Sequence, residues 1–148
     1  MKRRKILFVC TGNTCRSPMA ESILRAEIKK RKIKWWDVIS RGIDAEVGRT
    51  ISNNSRIVLE EIGIACPDFR PKQLTKSLIT GCTLVITMTE QQKNLLGANG
   101  NVRCIKEFCG CDLPDPYGCG LEVYRMTRDI ILMACDKIID EYVLKYED

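Results

Sequence analysis

The sequence predicts an α/β domain: a parallel sheet of four strands with helices on both faces. Three observations carry this. Short apolar runs alternate with longer segments of helical spacing along the whole chain, the pattern that yields parallel sheets covered by helices. The 148 residues fit one domain with one core, here taken as residues 1–148. No repeat, linker or low-complexity tract interrupts the alternation.

Residues 5–10 form a short apolar run that ends at a turn signal, the mark of a buried strand. Ser17-Pro18 opens a helix running to about Arg31, with Met19, Ala20, Ile23, Leu24 and Ile28 on one face. Pro18 suits a first-turn position, where no backbone N–H is needed. Trp35–Ser40 reads as the second strand, stopped by Gly42, and residues 43–50 as a loop. Ser52 or Asn53 caps a helix that carries Ile57, Val58, Leu59 and Ile62 and ends at Gly63. A loop bounded by Pro67 and Pro71 leads to a short helix over Gln73–Thr80. Thr83–Met88 is the third strand, and Thr89 caps a short helix ending near Gly97. Val102–Phe108 reads as the fourth strand, residues 109–120 as a long loop, and Leu121 to about Tyr146 as the last helix.

Composition narrows the chemistry. The chain contains no histidine, so neither a Ser-His-Asp nor a Cys-His hydrolase can be built, nor a histidine-ligated catalytic metal site. Acid–base work then falls to Asp, Glu, Lys, Tyr or Cys. The nine cysteines are read as reduced thiols, because the apolar run after the basic start is too short for a signal peptide. A cytoplasmic protein is therefore expected. Cys104, Cys109, Cys111 and Cys119 cluster in sequence but lack the C-x2-C spacing of zinc sites, so no metal and no cofactor are expected. The net charge of +5 is modest. The basic residues from Lys29 to Lys34 match a helix C-terminus better than a nucleic-acid patch. No apolar run approaches the roughly 20 residues of a membrane span.

The most informative segment is Cys10-Thr11-Gly12-Asn13-Thr14-Cys15-Arg16-Ser17, between the first strand and the first helix. A turn there aims successive backbone N–H groups at one anion. Gly12 relieves a tight loop, and Asn13 tolerates a left-handed conformation. Inward N–H groups, the helix N-terminus and Arg16 favour a thiolate at Cys10, and Ser17 can donate to its sulfur. Arg16 can curl back so that its planar fork meets two phosphate oxygens. Thr11, Gly12, Asn13, Thr14, Cys15, Arg16 and Ser17 are thus candidate oxyanion ligands, and Cys10 a candidate nucleophile. No Gly-Lys-Ser/Thr follows Gly12, so this is not a nucleotide-binding P-loop.

Val9 to Glu21 resembles the signature of low-molecular-weight protein tyrosine phosphatases. The likeness continues at Ser40-Arg41-Gly42, where Arg41 departs from the usual alanine, at Ile86-Thr87-Met88-Thr89 and at Asp115-Pro116-Tyr117-Gly118. It implies strand order 2-1-3-4, a metal-free cysteinyl-phosphate mechanism and a phosphorylated protein as partner. Asp112 and Asp115 are both available as the acid. Prolines on either side hold Asp115 extended, and the resemblance assigns the role to it. By the same resemblance Tyr117 lines the pocket, and Cys15 pairs with an oxidised Cys10 to protect it. Residues 44–49 read Asp-Ala-Glu-Val-Gly-Arg and lack the aromatic the family often places on the opposite wall.

Four functions compete. Cys10 and Asp115 together argue against a mere phosphate-binding module. An arsenate reductase of this fold needs two further cysteines after the third strand, and none occurs from Thr83 to Arg103. Between phosphotyrosine and phosphoarginine, Thr14 favours the latter: residues 10–17 match the motif of the bacterial protein arginine phosphatase branch, where the tyrosine branch commonly has an apolar residue.

Overall fold

The computed structural model describes residues 2–146; the expected domain limits at 1 and 147–148 lie outside them. β1 (Arg4–Cys10), β2 (Trp36–Gly42), β3 (Leu84–Thr87) and β4 (Val102–Cys104) form one sheet in the order β2-β1-β3-β4, every pair parallel. Alternation along β1 divides the core. Ile6, Phe8 and Cys10 join a cluster with Met19, Leu24, Leu59, Ile131 and Ile138. Leu7 and Val9 join a smaller one with Ile79, Val85 and Val102. Residues 6–10 are buried throughout, as befits a strand covered on both faces.

The helices are α1 (Arg16–Lys30), α2 (Asn53–Glu60), α3 (Lys76–Gly81), α4 (Glu90–Leu96), α5 (Lys106–Cys109) and α6 (Leu121–Ile138). Ser52, Thr75 and Thr89 cap α2, α3 and α4 by accepting a backbone N–H three residues on. The expected apolar face of α1 is buried from Met19 to Ile28.

Several boundaries differ from expectation, and the short helix expected from Gln73 begins at Lys76, because Gln73 instead pairs in parallel with Gly42 of β2. β4 stops at Cys104. Ile105 and Phe108 are both buried, and their spacing of three belongs to the helical turn of α5 rather than to a strand. The last helix leaves α-geometry at Ile138 and continues through a π turn, Ile139–Val143, and a 3-10 turn, Leu144–Tyr146. Gly42 does not stop β2 but completes it, opposite Cys10. A Cβ there would lie 2.7 Å from the Thr11 carbonyl oxygen, so only glycine lets β2 pass this close to the loop after β1.

Among the described residues no helix is long and apolar enough to cross a membrane. No group of three or more Cys, Asp or Glu side chains among them could hold a metal ion.

Candidate active site

The loop from Cys10 to Arg16 leaves the carboxyl end of β1, a position flanked by β2 and β3, where parallel sheets bind ligands. Its carbonyls are held from outside. Those of Cys10, Thr11 and Gly12 accept the N–H groups of Ile43, Asp44 and Glu46 at 2.9–3.0 Å. That of Thr14 accepts Ser52 N–H at 2.8 Å, and that of Cys15 accepts Met19 N–H at 3.3 Å. In a trans peptide the N–H points opposite to the carbonyl, so this pattern turns the following N–H groups inward. The Asn13 N–H lies 3.3 Å from Cys10 Sγ, and Asn13 takes the left-handed conformation expected of it, φ 60°. Gly12 relieves crowding rather than supplying a left-handed turn. Its φ is not positive; a Cβ there would meet Glu46 Oε2 at 3.1 Å.

Cys10 Sγ is 2.8 Å from the Ser17 hydroxyl. A chain of hydrogen bonds runs on from there. Asn13 Nδ2 donates to Ser17 Oγ at 2.7 Å and to Ser40 Oγ at 3.0 Å, and Ser40 donates to Glu21 Oε1 at 3.0 Å. Asn13 Oδ1 accepts the Lys72 N–H at 2.9 Å, which leaves the side-chain amide in one orientation. Glu21 is buried, and burial pushes its carboxyl up against the pull of Arg25 and Ser40.

Burial also pushes the Cys10 thiol up. The Ser17 hydroxyl, Arg16 and the Asn13 N–H pull it down. The net direction is upward, opposite to the fall expected from the loop alone, because Cys10 is enclosed by the core. The Ser17 backbone N–H pulls in the same direction, and all four pulls act on the charged form, so the thiolate is the state these contacts serve. Ser17→Ala removes one of them. The ascending limb of the pH–kcat/KM profile should then move to higher pH, with a loss of roughly tenfold or more at neutral pH that shrinks as pH rises. An unmoved limb would show that Ser17 does not act on the thiol.

Arg16 is buried at the first turn of α1, its side chain 7% exposed. Nη1 donates to the Leu113 carbonyl at 2.8 Å, and Nη2 stands 3.9 Å from Asp115 Oδ2. Asp115 is 56% exposed and accepts the Tyr117 N–H at 3.1 Å. Asp112 turns the other way and accepts the Glu90 N–H at 3.1 Å. Cys10, Thr11, Gly12, Asn13, Thr14, Cys15, Arg16, Asp115 and Tyr117 therefore border one cavity of about 300 Å³. Ser17 lies beneath it, fully buried. Tyr117 is 69% exposed and forms its outer edge. Cys15 is buried with its sulfur 3.5 Å from the Tyr124 hydroxyl; neither it nor Cys10 is in a disulfide.

Two lining residues were not foreseen: Asp44 and Glu46, on the segment where an aromatic was sought. The signal was present as two carboxylates spaced by one residue. A larger cavity of about 600 Å³ lies beyond Asn13, between α1, β2 and residues 64–72. It holds a thiol, Cys66, with Arg25, Arg41, Arg70 and Asp68, but residues 64–72 join two helices and form no strand-to-helix loop of converging N–H groups, so the smaller cavity is the better candidate.

The sequence model of the low molecular weight phosphotyrosine protein phosphatases matches residues 5–147. A protein-arginine-phosphatase of Geobacillus stearothermophilus is 35% identical, covering 93% of this chain and 95% of its own. A low molecular weight protein-tyrosine-phosphatase of Staphylococcus haemolyticus is also 35% identical, over 90% and 96%. The solved low molecular weight protein tyrosine phosphatase from T. tengcongensis superposes with a TM-score of 0.88 at 40% identity, over 93% of this chain and 99% of that one.

Proposed function

Since the chain belongs to the low molecular weight phosphotyrosine protein phosphatase family and is a phosphoprotein phosphatase, we propose that it acts on phosphoarginine side chains through a cysteinyl-phosphate. The observation that carries the mechanism is the meeting of Cys10, Arg16 and Asp115 around one cavity at the end of β1.

In the first step Cys10 Sγ attacks phosphorus in line. The S–P bond forms as the bond from phosphorus to the guanidine nitrogen breaks, and Asp115 gives its proton to that nitrogen. Arg16 and the inward N–H groups hold the equatorial oxygens. In the second step the Asp115 carboxylate takes a proton from water, whose oxygen attacks phosphorus. The S–P bond breaks, phosphate leaves and Cys10 is again a thiolate. Tyr117 forms the outer wall against the substrate side chain, and Cys15 is the partner for an oxidised Cys10.

The substrate reading rests on Thr14. Its hydroxyl borders the cavity, where a guanidinium needs hydrogen-bond partners and a phenyl ring does not. Thr14→Ile removes that hydroxyl and adds apolar bulk. A buried donor left unpaired costs about 1–3 kcal/mol, so the variant should lose roughly tenfold or more on phosphoarginine relative to phosphotyrosine. The check is kcat/KM for both substrates with both proteins. A wild type that prefers phosphotyrosine would return the reading to that substrate.

A further inference from the structure

The segment after β2 brings carboxylates to the rim of the phosphate cavity. The Asp44 and Glu46 N–H groups both donate to carbonyls of the loop, at Thr11 and Gly12, and both side chains border the cavity. Glu46 reaches in over the loop. Its Oε2 accepts the Thr14 hydroxyl at 3.4 Å and occupies the space that a Cβ on residue 12 would crowd. Its neighbouring cation, Arg49, is 3.8 Å away and exposed. Asp115, which carries the proton it donates in the first step, adds no charge of its own as substrate enters, and Arg16 is the cavity's one cationic lining residue.

Such a rim is ill matched to a phosphate dianion on a neutral group. Phosphotyrosine brings two negative charges and an uncharged ring, so each carboxylate nearby opposes its entry. Phosphoarginine brings a guanidinium bonded directly to the phosphoryl group. That group is a planar cation whose N–H fork fits a carboxylate.

Resting on the phosphoarginine reading, we propose that Glu46 is a specificity-determining residue, its carboxylate receiving the guanidinium of the substrate. The Thr14 hydroxyl donates to Glu46, which leaves its lone pairs turned toward a second guanidinium N–H. Glu46 thereby orients Thr14 as well as binding the cation, and Asp44 adds charge at the rim.

The test measures kcat and KM of wild type and Glu46→Gln on a phosphoarginine-containing protein and on a phosphotyrosine peptide, at low and high salt. The phosphoarginine-to-phosphotyrosine ratio of kcat/KM should fall roughly tenfold or more in the variant, mostly through KM, and less at high salt. A wild type that prefers phosphoarginine, with a ratio that Glu46→Gln leaves unchanged, overturns the assignment of Glu46 and spares the substrate reading. Equal losses on both substrates overturn it too, because they mark Glu46 as a support of the loop. A wild type that prefers phosphotyrosine overturns the substrate reading itself, and this proposal with it.

Discussion

Cys10→Ser is expected to reduce turnover by roughly 10⁴-fold or more while phosphate still binds. The substitution keeps the backbone, and with it the inward N–H groups and Arg16, so the anion cradle persists. What disappears is a thiolate. A serine hydroxyl in the same buried position cannot ionise near neutral pH, and the Ser17 and Asn13 contacts that favour a charged sulfur have nothing comparable to favour. Steady-state assay gives the first quantity and phosphate titration the second. Substantial turnover in the variant would remove Cys10 as nucleophile. The same protein tests Cys15. Peroxide followed by mass spectrometry should join Cys10 to Cys15 in the wild type and form no link at position 10 in the variant. A wild-type Cys10 joined to any other thiol would show that Cys15 is a packing residue beside Tyr124.

Asp115→Asn should cost roughly a hundredfold or more on a phosphoprotein substrate, and much less on an activated aryl phosphate. The difference arises at the leaving group. A guanidine or an ordinary phenol needs a proton as it departs, whereas an activated phenolate leaves without one. Asp115 suits the task because it is half exposed at the cavity rim, near Arg16 but not locked to it. Asp112→Asn is the control: its carboxylate serves the Glu90 N–H, so its leaving-group dependence should match the wild type. The opposite pattern would exchange the two residues.

Legibility in the sequence follows how locally each feature is encoded. Residues 10–17 carry the loop, the candidate nucleophile and the candidate anion clamp within eight residues, so their spacing together with the strand before and the helix after exposes them. β1 and β3 are near-continuous apolar runs and read plainly; β4 is three residues long, too short to set a period, and Ile105 and Phe108 blur into it. The chain of contacts behind Cys10 draws Asn13, Ser40 and Glu21 from three different elements, and no spacing rule connects them. The Leu113 carbonyl that fixes Arg16 is backbone and leaves no mark in the sequence at all. Asp44 and Glu46 were visible as letters but acquire meaning only when the register of β2 against β1 carries them over the loop. The pKa of Cys10 illustrates the same limit. Local dipoles predict a fall, and enclosure by the core, which is a property of the whole fold, reverses the net direction.

The stitching of residues 43, 44 and 46 to the carbonyls of residues 10, 11 and 12 makes the substrate rim and the anion cradle one mechanical part. A residue inserted or deleted between Gly42 and Glu46 would slip that register and release carbonyls that now face away from the cavity, so the N–H groups opposite them would lose their aim. Side chains at positions 44 and 46 carry no such constraint, for these bonds belong to the backbone. In this chain, exchange of those two side chains at constant loop length leaves the stitching intact, so libraries for redirecting the enzyme are best built by randomising them without insertions.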